Sequence, residues 1–338
     1  MKQVICKKPG EMALEMAEKP SPAANEVLVG IKRVGLCGTD IHAYSGNQPY
    51  FQYPRVLGHE LAGVVDSVGA DVTSIKPGAT VYVTPYIECG DCVACRQGRP
   101  NCCTGISVLG VHKDGGMCEY LSVPESHVIT AEGLGLDQLA LVECMAVGAH
   151  AVRRAEVQPN STALVVGAGP IGMGIVQFAR ARGAKVFVVD TNQDRLKFCR
   201  DILGATAVIS AQDDVAGELE KLTGGDYPNV VFDATGNPKA MMAGFNWTAH
   251  AGKYVLVSVV DADITFNDPE FHKRELSLLG SRNATREDFE HVVRSLQDGT
   301  VLSTEMVTHR CGLDELPEAM IQWTQPTSGI IKAIVEID

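Results

Sequence analysis

The amino-acid sequence predicts an α/β protein that combines a β-rich region with a doubly wound parallel sheet. Short β-branched runs broken by Gly and Pro fill roughly the first 145 residues. From about Thr162 the rhythm changes, and apolar runs alternate with helical stretches. Near-continuous apolar strands that alternate with helices are typical of a parallel sheet covered by helices on both faces.

Length and composition limit the kinds of protein to which this chain can belong. With 338 residues the chain is long enough for two domains, and its net charge is −12. An acidic chain without a basic block is a poor partner for nucleic acid or for an anionic membrane. The uncharged run at 161–179 contains Pro170 and four glycines, which favours a strand, a turn and a helix over a membrane span.

The first ten residues, MKQVICKKPG, carry charge where a secretory signal needs an apolar segment. We therefore expect a cytoplasmic protein whose eleven cysteines are reduced or bound to metal.

In the β-rich region, the runs VLVGIKRVGLCG, LAGVVDSVGA and ATVYVTPY predict strands, and KPG predicts a turn before the third of them. A four-cysteine run, ECGDCVACRQGRPNCC, follows. It contains Cys89, Cys92, Cys95 and Cys103 in the spacing C-x2-C-x2-C-x7-C. Four thiolates close a tetrahedral shell around zinc and leave no open position, so this zinc is predicted to be structural. The alternative is a pair of disulfides.

The parallel-sheet region opens with a dinucleotide-binding motif. The run GAGPIG, whose members are Gly167, Gly169, Pro170, Ile171 and Gly172, follows the apolar run TALVV and begins a helical stretch. This is the context that G-x-G-x-x-G needs in a Rossmann fold. The first two glycines permit the turn and the approach of a pyrophosphate, and the third lets the helix pack on the sheet.

Asp190 ends the next apolar run, KVFVVD, about 20 residues further along. A carboxylate there accepts hydrogen bonds from the adenosine ribose and repels a 2′-phosphate. Arg195 follows inside a predicted helix. We therefore predict NAD in preference to NADP, although Asp190 could instead be a helix N-cap.

Candidate metal ligands and proton carriers occur in three separate segments. Cys, His and Glu are zinc ligands, and three of them with a water form an open, reactive site. His150, in an apolar helical stretch, is interpreted as a packing residue. The remaining candidates are Cys37, Thr39, Asp40 and His42 in GLCGTDIH, His59 and Glu60 in GHE, and Glu143 in LALVECMA.

The order of these motifs resembles the zinc-dependent medium-chain alcohol and polyol dehydrogenases along essentially the whole chain. The resemblance implies a GroES-like catalytic domain made from both ends of the chain and a central Rossmann domain that binds NAD. We accordingly expect the catalytic domain at 1–146 and 283–338, with the zinc lobe near 86–105, and the Rossmann domain at 147–282.

The resemblance also implies roles for single residues. Cys37, His59 and Glu143 resemble the ligands of the catalytic zinc, which makes two zinc ions per subunit. Glu60 resembles an alternative ligand or a partner of the zinc-bound water, and Asp40 the carboxylate that orients the ligating histidine. Thr39 and His42 resemble a proton relay.

Two local choices accompany these roles. The polyol branch usually has proline where this chain has Cys144, a thiol that could compete with Glu143 for the metal. We prefer Glu143, because adjacent side chains point in different directions. Of the neighbours Cys102 and Cys103, the family spacing selects Cys103.

The runs GNQPYFQYPRVLGHE and NDPEFHKRELSLLGSRNATREDF resemble the sugar-acid-oxidising members, in particular the group that acts on L-galactonate. We therefore expect oxidation of a secondary hydroxyl on a sugar acid, whose carboxylate requires a cation. Asn283 and Tyr50 are candidates for its hydroxyls. The candidates for the cation are Arg55, His272, Lys273, Arg274 and Arg282.

The alternatives are a neutral polyol dehydrogenase of the sorbitol type, an L-threonine 3-dehydrogenase, and a non-catalytic protein that binds NAD or zinc. The combined metal and relay residues favour an enzyme over the last of these. The resemblance implies a homo-oligomer, a dimer or a tetramer, with a small hydroxyl compound as its ligand and neither nucleic acid nor membrane as a partner.

Overall fold

The computed structural model describes residues 1–48, 51–325 and 327–338, so the candidate Tyr50 lies outside the described part. Contacts divide the chain into two compact units. The first comprises Met1–Cys144, Leu296–Asp298 and Ser303–Asp338, and the second comprises Met145–Ser295 and Gly299–Leu302.

Among the described residues between 1 and 154 there are ten strands and four α-helices. The strands are Lys2–Lys8 (β1), Glu11–Met16 (β2), Glu26–Leu36 (β3), Arg55–Val56 (β4), Glu60–Val68 (β5), Thr80–Val83 (β6), Tyr86–Ile87 (β7), Ser107–Val108 (β8), Tyr120–Pro124 (β9) and Val128–Thr130 (β10). The helices are Gly38–Tyr44 (α1), Val93–Arg96 (α2), Leu136–Ala140 (α3) and Val142–Arg154 (α4).

Strands and helices alternate in the part that follows. The strands are Thr162–Val166 (β11), Lys185–Asp190 (β12), Ala207–Ser210 (β13), Val230–Asp233 (β14), Lys253–Leu256 (β15) and Ser277–Gly280 (β16). The helices are Pro170–Ala181 (α5), Gln193–Asp201 (α6), Val215–Thr223 (α7), Pro238–Gly244 (α8), Asp268–Lys273 (α9) and Arg286–Gln297 (α10). The chain ends with Val307–Gly312 (β17), Leu316–Trp323 (α11) and Lys332–Glu336 (β18).

The first unit is built on a seven-stranded sheet in the order β10-β6-β5-β3-β18-β17, with β9 also paired to β3. Strand β3 runs antiparallel to both β5 and β18. The last strand of the chain therefore pairs with a strand near its start, and both termini contribute to one core. Buried side chains of this core include Val29, Val34, Leu61, Met117 and Val335.

The second unit contains a six-stranded parallel sheet in the order β13-β12-β11-β14-β15-β16. This is the strand order of a doubly wound dinucleotide-binding sheet. The residues of β14 are all buried, as expected for a strand covered on both faces. The run at 161–179 forms β11 and α5, and no helix among the described residues is long and apolar enough to span a membrane.

The second unit extends further along the chain than the predicted boundary at residue 283. Helix α10 belongs to it as far as Ser295, and Asp288 in this helix bonds to helix α4. The Asp288 carboxylate accepts hydrogen bonds from Arg153 Nε at 2.7 Å and lies 2.8 Å from His150 Nδ1. His150 is therefore part of a buried polar network that joins two helices of the second unit.

Candidate metal centres and cofactor site

The end of one strand and the start of its neighbour bring the metal ligands together. Strand β3 ends at Leu36, and Cys37 is the N-cap of α1. His59 directly precedes β5, and Glu60 begins it. Because β3 and β5 are antiparallel, with Gly35 opposite Glu60, Cys37 lies beside the GHE segment.

In the described part of the chain, the possible ligand atoms of Cys37, His59 and Glu60 all lie within 4.8 Å of one another. His59 is 5% exposed and Glu60 is fully buried. Atom Oε2 of Glu60 and Nδ1 of His59 are buried without a hydrogen-bond partner in the structure. A thiol, an imidazole and a carboxylate with unmet polar atoms fit zinc, and three ligands leave a coordination position open.

Asp40 is positioned to orient this group. Its carboxylate accepts hydrogen bonds from the backbone N–H groups of Cys37 at 2.9 Å and Gly58 at 3.1 Å, and Oδ1 lies 3.8 Å from His59 Nδ1. Burial raises the pKa of the Asp40 carboxyl, while the nearby His59 opposes the shift. Burial would lower the pKa of His59, but Asp40, Cys37 and Glu143 together raise it well above its usual value. The pocket therefore favours a cation.

Glu143 is not one of the three residues whose ligand atoms lie within 4.8 Å of one another. Glu143 lies in the first turn of α4, and its buried carboxylate accepts a hydrogen bond from the Tyr86 hydroxyl on β7. Burial raises the pKa of the Glu143 carboxyl. Burial also raises the pKa of Cys144 well above its usual value, which keeps that thiol neutral. The geometry thus favours Glu60 over the predicted Glu143 as the third ligand, while Glu143 still contributes charge to the pocket.

Two residues at this site were missed from the sequence. Lys332, on β18, is 1% exposed, and its Nζ donates to Glu60 Oε1 at 2.5 Å and to the Leu36 carbonyl at 3.1 Å. Tyr86 holds Glu143. The available signal for Lys332 was a single charged residue inside the apolar run IIKAIVEI. Tyr86 had no such signal, because a Tyr in a strand is ordinarily a packing residue.

The predicted relay residues share helix α1. Thr39 and His42 are three residues apart, which places them on neighbouring positions of one helix face. Thr39 is half-buried and His42 is exposed. The pair thus spans from the vicinity of the buried ligands to the protein surface.

The four predicted lobe cysteines converge in the structure. The Sγ atoms of Cys89 and Cys103 are 3.4 Å apart, and those of Cys92 and Cys95 are 3.5 Å apart. A tetrahedral zinc shell with Zn–S bonds of roughly 2.3 Å has S–S edges of about 3.8 Å, so the group needs little movement to close. Cys102 lies outside the group and is exposed, and the eleven cysteines are all free thiols.

Backbone N–H groups prepare these thiols for a metal. Those of Asp91 and Cys92 lower the pKa of Cys89, and those of Cys95 and Thr104 lower the pKa of Cys92 to about 5. Burial and the neighbouring thiols raise the pKa of Cys95 to about 12. Zinc is the usual occupant of four convergent cysteines with these properties.

The glycine motif has the geometry of a phosphate-binding turn. Gly167 follows β11 with φ of 99°, a left-handed conformation that favours glycine. A Cβ on Gly172 would meet the Gly167 carbonyl oxygen at 1.9 Å, whereas the space beside Gly169, the N-cap of α5, is open. Pro170 and Ile171 form the first turn of α5. The backbone N–H groups at the N-terminus of α5 are therefore placed to bind an anion.

Asp190 ends β12 and organises the loops around this turn. Its Oδ2 accepts the Ala168 N–H at 2.6 Å, and its Oδ1 accepts the Asn192 N–H at 2.7 Å. The alternative role as N-cap of α6 belongs to Asn192, which accepts the Arg195 N–H at 3.0 Å. Arg195 is half-buried in α6.

The cations proposed for a substrate carboxylate are scattered. Arg274 donates to the carbonyls of Asn246 and Thr248 at 3.1 and 3.0 Å, so it is a packing residue of the second unit. Lys273 and His272 are exposed on α9 of the same unit. Arg55 is in the first unit, where NH1 lies 3.2 Å from Asp114 and the buried Nε has no hydrogen-bond partner in the structure. Arg282 and Asn283 follow β16 in the second unit.

Comparison with known families agrees with this arrangement. A family of alcohol dehydrogenase GroES-like domains matches residues 23–133, and a family of zinc-binding dehydrogenases matches residues 170–298. The L-galactonate-5-dehydrogenase of Escherichia coli K12 is 44% identical over 335 residues, which cover 99% of this chain and 98% of the relative. The chain belongs to the zinc-binding alcohol dehydrogenase family. The predicted family, fold class and enzyme class are confirmed.

Other dehydrogenases share nearly the full length of this chain. The sorbitol dehydrogenase of Bacillus subtilis is 30% identical and covers 99% of this chain and 97% of its own. The crystal structure of an Escherichia coli CFT073 alcohol dehydrogenase complexed with NADH has a TM-score of 0.93, 31% identity and 99% coverage of both chains. A zinc-binding dehydrogenase from Sinorhizobium meliloti bound to NADP has a TM-score of 0.91 and 28% identity, with 99% of this chain and 98% of that chain covered.

Proposed function

We propose that this dehydrogenase oxidises a secondary hydroxyl of a sugar acid, with L-galactonate as its best substrate and NAD as its hydride acceptor. The observation that carries the proposal is the 44% identity, over 99% of the chain, to an enzyme that acts on L-galactonate. A 2-dehydro-3-deoxy-L-galactonate 5-dehydrogenase from Pseudoalteromonas atlantica is also 30% identical over 94% of the chain. Both relatives act on the C5 hydroxyl of an acidic sugar derivative.

In this proposal Cys37 and His59 hold the catalytic zinc. Glu60 supplies the third ligand, supported by its place within 4.8 Å of the other two, and Glu143 is the alternative. A second zinc is held by the four lobe cysteines, Cys89, Cys92, Cys95 and Cys103. Zinc at an open three-ligand site lowers the pKa of a hydroxyl that it binds.

The residues of the chain then handle the proton and the geometry. Thr39 would accept a hydrogen bond from the substrate hydroxyl and, as it takes up that proton, would pass its own hydroxyl proton by way of the nicotinamide ribose to His42 and solvent, as the places of both residues on α1 support. Asp40 keeps His59 and Cys37 in a fixed orientation through its backbone hydrogen bonds. NAD bound at the glycine turn would supply the acceptor for the hydride of the carbinol carbon.

NAD is proposed in preference to NADP because a carboxylate stands at the end of β12. Asp190 repels a 2′-phosphate, although its two bonds to backbone N–H groups leave it fewer lone pairs for the ribose. Gly167, Gly169, Pro170, Ile171 and Gly172 form the pyrophosphate turn. A KM for NADP equal to or below that for NAD would refute this preference.

The substrate is tested by NADH formation across a panel of aldonates, neutral polyols and L-threonine, with the zinc content per subunit measured alongside. The highest kcat/KM is expected for L-galactonate. Equal rates on every aldonate, or a preference for sorbitol or threonine, would remove this substrate. The second candidate is a neutral polyol or L-threonine, because relatives that act on sorbitol and threonine are 30% and 31% identical.

We also propose a homo-oligomer in the cytoplasm. Strand β16 is the edge of the six-stranded sheet, and three of its four residues are exposed, among them Leu278 at 40%. An exposed edge strand offers unpaired backbone groups to a second copy. Light scattering that gives the monomer mass would contradict the oligomer.

The proposed cytoplasmic location has a separate support. All eleven cysteines are free thiols, which agrees with a reducing compartment.

A further inference from the structure

Lys332 is the most deeply buried lysine of the first unit, and its ammonium group has specific hydrogen-bond partners there. The side chain is 1% exposed on the inner strand β18. The ammonium group has two acceptors, Glu60 Oε1 at 2.5 Å and the Leu36 carbonyl at 3.1 Å. Gly35 leaves room for the carboxylate, because a Cβ at that position would lie 2.1 Å from Glu60 Oε2.

The two oxygens of Glu60 have different surroundings. Oε1 is taken by the ammonium group, whereas Oε2 is buried without a hydrogen-bond partner. The same carboxylate lies within 4.8 Å of the ligand atoms of Cys37 and His59. One carboxylate is therefore shared between an internal cation and the place where a divalent cation would bind.

A buried ion pair of this kind is a weak source of stability. Its desolvation cost is comparable to its Coulombic gain, so a well-packed apolar pair often serves a core equally well. Two cations that share one carboxylate also repel each other, and each weakens the hold of the carboxylate on the other. The arrangement thus limits how firmly Glu60 binds a metal.

We propose that Lys332 is a positioning residue that competes with the catalytic zinc for Glu60. By holding Oε1, it keeps Glu60 a weak, displaceable ligand, so that the carboxylate gives way when the substrate hydroxyl arrives. The inference rests on the proposed function of the Cys37, His59 and Glu60 group as a metal centre. It does not depend on which alcohol is oxidised.

The test compares zinc affinity in Lys332→Met and in the native protein by competition with a chelator, without substrate. The zinc ion at this centre is identified as the one that is missing from a Cys37→Ser variant. The proposal expects Lys332→Met to bind that zinc about tenfold more tightly or better, because a neighbouring positive charge has been removed. A purely structural lysine predicts unchanged or weaker binding, and that result would overturn the proposal.

Cobalt substitution gives a second readout. The visible ligand-field bands of Co²⁺ at this centre should shift in Lys332→Met, because Glu60 then remains a firm ligand. Turnover should also change in kcat more than in KM, since release of Glu60 follows substrate binding. Unchanged cobalt bands would contradict the proposal whatever the substrate proves to be, whereas failure on L-galactonate alone affects only the proposed function.

A matched control is available in the second unit. Lys253 also donates to a glutamate and to a backbone carbonyl, Glu156 Oε2 at 2.7 Å and Ala155 O at 2.9 Å, with no predicted metal ligand among its partners. Lys253→Met should leave zinc affinity and the cobalt spectrum unchanged. If it alters them as Lys332→Met does, the effect is not specific to Glu60, and the proposal fails.

Two further variants guard against a folding defect. Lys332→Gln keeps hydrogen-bond donors for both acceptors but lacks the charge, so it should also tighten zinc binding. In the Glu60→Gln background, adding Lys332→Met should change zinc affinity by less than about threefold, because the two residues act as one unit. An undiminished effect in that background would show that Lys332 acts elsewhere and would overturn the proposal.

Discussion

The two candidate metal centres of the first unit are built in opposite ways. The four-cysteine lobe takes all its ligands from residues 89–103, and Cys89 is exposed. The Cys37, His59 and Glu60 centre takes its ligands from two strands that meet in the sheet, and two of the three are buried.

Their electrostatics differ as well. In the lobe, backbone N–H groups lower the pKa of two thiols. In the buried centre, carboxylates and an ammonium group offset one another, with Asp40, Glu60 and Glu143 opposite Lys332. The lobe would thus hold a metal through local contacts alone, whereas the proposed exchange of Glu60 requires surroundings that weaken its binding to the metal.

The comparison predicts its largest effect for the buried ligands. Cys37→Ser or His59→Ala should lower kcat by about 1,000-fold or more, because zinc contributes several kcal/mol of transition-state stabilisation. NAD binding, measured by fluorescence titration of NADH, should be retained. Activity close to that of the native enzyme in either variant would remove the zinc assignment.

A second pair of variants distinguishes Glu60 from Glu143 as the third ligand of the buried centre. Glu60→Gln should bind the zinc that Cys37→Ser lacks about 10-fold more weakly, because one of the three grouped candidate ligands loses its charge. Glu143→Gln should keep that zinc and lose about 10-fold in kcat/KM, because only a nearby charge is removed. Chelator competition measures the zinc affinities and steady-state kinetics measure kcat/KM, and the reverse pattern would restore Glu143 as the third ligand.

Asp40→Asn tests the support of the buried ligands. The amide loses charge beside His59 and can accept only one of the two backbone hydrogen bonds through its oxygen. Zinc affinity should fall by about 10- to 100-fold, the usual effect of removing a group that orients a ligand. Chelator competition measures the change, and an affinity equal to that of the native protein would make Asp40 a packing residue.

The smallest effect on turnover is expected in the lobe. Cys103→Ser should release one zinc and lower the thermal unfolding midpoint, while kcat of the folded enzyme changes by less than about twofold. Cys102→Ser is the matched control, since Cys102 is exposed outside the group and should alter neither quantity. Loss of zinc from Cys102→Ser instead would mean that the lobe uses the other cysteine.

The contrast between the local lobe and the non-local buried centre also explains which features could be predicted from the sequence. Motifs whose parts lie close together in sequence, such as the four-cysteine run and GAGPIG, specify their own local geometry. Their cysteines and glycines converge in the structure as the spacing predicts. The apolar runs that alternate with helices likewise form the parallel sheet.

Residues whose roles depend on strand pairing were harder to predict. The proposed choice of Glu60 over Glu143 as third ligand rests on the register that sets Gly35 opposite Glu60 and on the bond of Glu143 to the Tyr86 hydroxyl. The second unit includes most of α10, where Asp288 bonds to residues of α4. None of these contacts is local in the chain.

The sequence by itself determined the family, the two kinds of domain, the lobe cysteines and the cofactor turn, because each rests on short-range spacing or on hydrophobic periodicity. Only the tertiary structure decided that Lys332 lies against Glu60, some 270 residues apart in the chain. A charged residue in an apolar strand can become buried only if a distant strand brings it a partner. Which partner it meets is a property of the sheet order and register, and those are set by the whole fold.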